Sequence, residues 1–169
     1  TILFLLIALG VHGAIRTPRA AGARAALPHA SVHAALVALH LAESVRFATI
    51  SHQDPAQDDP TVFAAFRGFL ERTYPRVHAQ LSRELVNEHG LVYHWRGSDR
   101  AARPILLLAH QDVVPVEPGT EGRWTHPPFA GVIADGYVWG RGAIDDKGSL
   151  ICLLGGLVRA GSLRSGAHQ

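Results

Sequence analysis

Cysteine is nearly absent from this 169-residue chain. The single Cys152 cannot close an intrachain disulfide, which leaves packing to hold any core. It lies in the apolar stretch 149–157 with no histidine beside it, so it reads as a small buried hydrophobe and not as a thiol nucleophile. Methionine is missing altogether, position 1 included, and the sequence is expected to start inside a longer one. Charge is sparse: 18% of residues are charged and the formal net charge is +2. The arginines are scattered, and no basic stripe with interleaved aromatics occurs, which argues against a nucleic-acid partner. No apolar run reaches the ~20 residues that a bilayer-spanning helix needs. Internal repeats and low-complexity blocks are lacking too, apart from Ala/Arg richness in the first thirty residues.

What is present suits one globular domain. Hydrophobic residues make up 47% of the chain, enough to build a real core at this length. Residues 2–11 are almost continuously apolar and are followed by Arg16, Arg19 and Arg24. This reads as the hydrophobic region of a signal peptide or a truncated membrane anchor over 1–11, with a flexible linker over 12–30. An exported, periplasmic, extracellular or membrane-anchored location follows, with the cytoplasm as the alternative. The folded part is expected over 31–169.

Within it, Ser31 can cap a helix reaching Ala48, with Val32, Leu36, Leu39 and Val45 as its apolar face. Asp59 before Pro60 opens a second helix, whose buried side is Val62, Phe63, Phe66, Phe69 and Leu70, and Tyr74-Pro75 closes it. A polar, partly helical segment runs to His89. Leu91 to Arg96 alternates as a strand does. Ile105 to Ala109 is a short continuous apolar run, the pattern of a strand buried on both faces. Asp135-Gly136 between apolar flanks signals a tight hairpin. A last helix starts near Lys147 or Gly148 and runs to about Ala160, with a frayed tail after it. Gly155-Gly156 inside that helix is expected to mark close packing on a sheet.

Two clusters of metal-type side chains stand at the ends of these elements. His110 and Asp112 follow the apolar run and, two apart in extended chain, point to the same side. A ligating imidazole commonly gives its other ring N–H to a carboxylate, so His-x-Asp supplies ligand and orienter together. Gln111 points the other way. Asp145 and Asp146 follow the hairpin, where adjacent carboxylates repel unless a cation or helix N-terminus is near. Gly140 and Gly142 free the backbone around Arg141, and Arg141 and Asp146 are candidates for shaping the site. Each cluster alone has a plainer reading: a hydrogen-bonded histidine, a helix N-cap. Their joint occurrence, in order, carries the functional reading. The other histidines show no ligand spacing, His29 and His33 excepted, and His29 falls outside the helix. His126 lies in the loop beside the clusters.

The runs His-Gln-Asp-Val-Val-Pro (110–115), Trp-Thr-His-Pro-Pro-Phe-Ala-Gly (124–131) and Asp-Gly-Tyr-Val-Trp-Gly-Arg-Gly-Ala-Ile-Asp-Asp-Lys-Gly (135–148) resemble a known signature. It is that of the zinc metallopeptidase and aminoacylase family of carboxypeptidase S, glutamate carboxypeptidase and succinyl-diaminopimelate desuccinylase. The likeness is greatest to the branch of carboxypeptidase S and the N-fatty-acyl-amino-acid hydrolases, and it is strong over 104–160. The resemblance implies an α/β fold, a zinc-exopeptidase-like sheet flanked by helices. It implies that His110 ligates zinc, that Asp112 orients His110 and that Asp145 bridges two zinc ions, with a cis bond between Asp145 and Asp146. Cobalt or manganese could replace zinc. It implies hydrolysis of the amide bond of a peptide or N-acyl-amino acid. The family's Glu-Glu pair (general base and ligand), its second histidine and its lid domain, through which homodimers form, have no counterpart in residues 1–169. The chain is therefore expected to be an N-terminal part, with the C-terminal half of the catalytic domain and the lid absent. The alternative is a catalytically inactive truncated fragment or a membrane-tethered binding module.

Overall fold

A computed structural model describes residues 33–165, with side chains up to Arg159. The expected signal or anchor segment, the linker, and Ser31 and His29 lie outside the described residues. Among those described, no helix is long and apolar enough to cross a membrane.

Helix α1 spans Ala34–Val45, with His33 as an N-cap that makes no side-chain capping bond. Its inward side is only in part the one expected. Leu36 and Leu39 are exposed, while Val37 and Leu41 pack on the core and Val45 is buried. Positions 37, 41 and 45 recur every four residues, which keeps them on one stripe of the helix; of the expected face Val45 is buried, Leu36 and Leu39 are not, and Val32 lies outside the described residues.

Helix α2, Pro60–Thr73, starts where the sequence indicates. Asp59 accepts the Thr61 backbone N–H, and Pro60 occupies the first turn. Phe63, Phe66, Phe69 and Leu70 are buried along one side. Helix α3, Pro75–Gln80, follows at once. Tyr74 between them is buried, its hydroxyl 3.2 Å from His40 Nδ1.

The segment expected to be partly helical up to His89 instead forms half of a hairpin. Strand β1 (Ser82–Val86) pairs antiparallel with β2 (Gly90–His94), Ser82 opposite His94 and Val86 opposite Gly90. Every β1 residue is exposed, so no apolar alternation marks the strand. The turn residues Asn87 and Glu88 take positive φ, a conformation that asparagine tolerates better than most.

A second hairpin, β3 (Val132–Ala134) and β4 (Tyr137–Trp139), turns at Asp135 and Gly136 with φ of 54° and 80°. Both central residues being positive is the primed turn that matches strand twist. Helix α4, Lys147–Ser165, closes the described chain. It continues through 161–165, where fraying was expected. Ile151 and Leu154 face the core, whereas Cys152 is exposed, contrary to its expected burial. A residue next to Ile151 is turned about 100° away from it on a helix. Among the described residues, no atom beyond the helix's own lies within 4 Å of a Cβ built at Gly155 or Gly156, so these glycines mark no close packing there.

One buried cluster joins α2, α3 and α4: Phe66, Phe69, Leu70, Tyr74, Val77, Leu81, Ile151 and Leu154. The two hairpins are separate two-stranded sheets. Helices with short strands are what an incomplete α/β fold leaves. The central strand is the main departure. Residues 105–109 form no ladder, and Ile105 and Leu106 are 85% and 80% exposed. A strand buried on both faces needs paired neighbours and covering layers, and none is among the described residues. Just beyond it, Ile50 and Val113 make an isolated parallel bridge.

Candidate metal centre

The two clusters meet. His110 Nε2 lies 2.8 Å from Asp145 Oδ1, although 35 residues separate them. The other ring nitrogen, Nδ1, is 3.0 Å from the Asp112 backbone oxygen and 3.2 Å from its Oδ1. The His110 backbone N–H donates to Asp146 Oδ2 at 3.3 Å. The side chains of His110 and Asp145 are 49% and 87% exposed. His110, Asp112, Arg141 and Asp145 share the wall of a cavity of about 250 Å³.

Partial burial works to lower the His110 pKa. The hydrogen bond to Asp145, and then the carbonyl and charge of Asp112, outweigh it and hold the imidazole above its ordinary value. An imidazole and a carboxylate converging at this distance are the donor chemistry that zinc takes. Among the described residues no three or more such side chains are placed to hold one metal ion together. The pair thus fits part of a metal shell.

Two backbone features mark the turn that carries Asp145. The Asp145–Asp146 peptide is cis. Gly142, at φ 83°, lies where a Cβ would collide with Val113 Cγ1; only glycine lets the turn and the 111–113 segment come this close. The Lys147 backbone N–H donates to Gly142 O at 3.0 Å, which closes the turn into α4.

Of the site-shaping candidates, Asp146 holds the His110 backbone. Arg141 lines the same cavity, its guanidinium 5.1 Å from the ring centroid of Trp124, another lining residue. His126 stacks edge-on against Trp139 at 5.2 Å in a separate cavity of about 610 Å³. Gln111 does face away from the pair, toward the His89 carbonyl.

Sequence reasoning missed three residues around this centre. Ser51 Oγ donates to Asp112 Oδ2 at 2.5 Å. Thr49 is buried and its hydroxyl donates to the Gln111 carbonyl at 2.6 Å. Both sit in a stretch that carries no motif. Lys147 is fully buried, with Nζ 2.9 Å from Ser44 O and 2.5 Å from Phe47 O, and 4.8 Å from the Phe66 ring centroid. Burial pushes its pKa down to about 7, with the Asp112 charge working against that shift. Its place directly after Asp146 was visible, but a lysine after two aspartates reads first as a solvated charge.

Residues 106–164 match the model of peptidase family M20/M25/M40. A probable carboxypeptidase S-like 2 from Dictyostelium discoideum is 43% identical over 120 residues, 70% of this chain and 23% of that protein. Carboxypeptidase S from Saccharomyces cerevisiae is 44% identical over 119 residues, 66% of this chain and 20% of that protein. The human N-fatty-acyl-amino acid synthase/hydrolase PM20D1 is 37% identical over 100 residues, 58% and 19% of the two chains. The chain spans about a fifth of the length of the curated relatives it matches. The matched stretch contains both halves of the centre, His110 with Asp112 and Asp145 with Asp146, and residues 106–164 of this chain belong to peptidase family M20/M25/M40.

Proposed function

We propose that this chain supplies part of a two-zinc site that hydrolyses the amide bond of a peptide or an N-acyl-amino acid. The observation that carries this reading is the 2.8 Å approach of His110 Nε2 to Asp145 Oδ1, with the Asp112 carboxylate on the imidazole's other nitrogen. His110 and Asp145 would hold the metal, and Asp145 would bridge two ions. Bound zinc supplies Lewis acidity that polarises an amide carbonyl. Asp112 keeps the Nδ1 proton of His110 in place, which leaves Nε2 as the donor. Asp146 fixes the backbone of His110. Catalytic zinc sites normally take three protein ligands, so the reading needs further ligands and a general base beyond this pair. Cobalt or manganese would serve the same donors.

In this reading residues 31–169 are the N-terminal part of the catalytic domain, 12–30 a linker and 1–11 a signal peptide or membrane anchor. The apolar run over 2–11 supports an exported or anchored location.

The test is titration of the purified, metal-stripped protein with zinc and with cobalt, followed by assay on dipeptides and N-acyl-amino acids. Loss of binding in both His110→Ala and Asp145→Ala is expected. Unchanged metal stoichiometry in both variants would overturn the assignment.

A further inference from the structure

We infer that Ser51 is a positioning residue for the metal centre, acting on His110 through Asp112. This rests on the reading of His110 as a ligand. The geometry forms one line of polar contacts. The Ser51 hydroxyl donates to Asp112 Oδ2 at 2.5 Å, the other carboxylate oxygen lies 3.2 Å from His110 Nδ1, and His110 Nε2 faces Asp145 Oδ1 at 2.8 Å. A carboxylate that receives a hydroxyl on one oxygen has its rotamer set, and its second oxygen then stays against the imidazole. Without that bond a side chain that is 40% exposed would swing toward water.

The backbone under Ser51 is tied to the same segment. Ser51 N–H donates to Val113 O at 3.1 Å, and Val113 N–H donates to Thr49 O at 2.8 Å. The Thr49 hydroxyl donates to Gln111 O at 2.6 Å. Residues 49–51 therefore clamp 111–113 from both sides of Asp112. Ser51 is the member of that clamp whose side chain reaches the carboxylate. Partners that orient a ligating histidine's carboxylate are worth about 10–100-fold in metal affinity.

Ser51→Val and Ser51→Thr separate the hydroxyl from the shape. Both are β-branched and suit the extended backbone at the parallel bridge, and only threonine keeps the donor. Two readouts on the full-length protein are needed. The first is the His110 Nδ1 proton in the metal-free protein, followed by ¹H–¹⁵N NMR. A slowly exchanging, downfield signal is expected in the wild type and in Ser51→Thr, and its loss in Ser51→Val. The second is cobalt affinity, expected to fall about 10–100-fold in Ser51→Val and to be restored in Ser51→Thr. The cobalt loss should also be non-additive with Asp112→Asn, because both changes break one chain of contacts. A merely structural role would give additive losses and no difference between valine and threonine. An Nδ1 signal kept in Ser51→Val would overturn the inference. A wild type that binds no cobalt yet shows the serine-dependent Nδ1 signal would overturn the metal reading alone.

Discussion

Lys147 Nζ donates to the Ser44 carbonyl at 2.9 Å across 103 residues of sequence. It also reaches Phe47 O, so one side chain ties the Asp145–Asp146 turn to the end of α1. Replacing it with methionine keeps the apolar stem and strands two carbonyls. Lys147→Met should cost about 2–4 kcal/mol by urea unfolding, from the unpaired acceptors.

The same lysine sets a pH dependence. Its folded pKa is depressed to about 7 from an ordinary 10.5. Between those values the unfolded chain binds the proton and the folded chain does not, so this group makes stability rise with pH across that window. The slope should be present in the wild type and flattened in Lys147→Met. Equal slopes in thermal melts from pH 7 to 10 would place the charge elsewhere.

Asp58 accepts from both the ring Nδ1 and the backbone N–H of His52, at 2.9 and 2.8 Å. The His52 side-chain bond first, then its backbone bond, holds the Asp58 carboxyl below its ordinary value of 3.8. A depressed carboxylate lends stability above that ordinary value and loses it as pH falls through the folded one. Asp58→Asn should therefore be less stable than wild type at neutral pH, and the gap should close on acidification. A gap that stays constant down to pH 2 would show that the charge plays no part.

Gly142→Ala should destabilise the chain by about 2–3 kcal/mol, because the turn needs a positive φ and the added methyl meets Val113. Cobalt binding should weaken with it, since Val113 neighbours Asp112. A variant as stable as wild type would mean that the turn relaxes freely.

Phe66 is fully buried and packs against Phe47 and Phe69 at ring distances of 5.6 and 5.8 Å. Phe66→Ala should lose about 3–5 kcal/mol, the usual range for a core aromatic. A loss under 1 kcal/mol would mean that the site collapses around the gap.

Local signals were read well and long-range ones poorly. The Asp59-Pro60 cap, the Asp135-Gly136 turn and the start of α4 each depend on neighbours within a few residues, and each stands where the sequence indicates. Strand β1 was missed because all its side chains are exposed. The run 105–109 was read as a buried strand from composition, yet burial belongs to the surroundings and not to the run. The meeting of His110 and Asp145 was implied by resemblance, since no spacing rule links residues 35 apart. Ser51 and Thr49 carried no signal: a serine in a polar loop becomes informative only once the chain brings Asp112 to it.

The Ile50–Val113 bridge closes a loop of about sixty residues. A closure of that length carries an entropic cost that contacts between near neighbours do not. Asp112 and His110 sit at the end of that closure. Parting residues 49–51 from 111–113 would separate Ser51 from Asp112 without touching the aromatic core between α2 and α4, which is built from other residues.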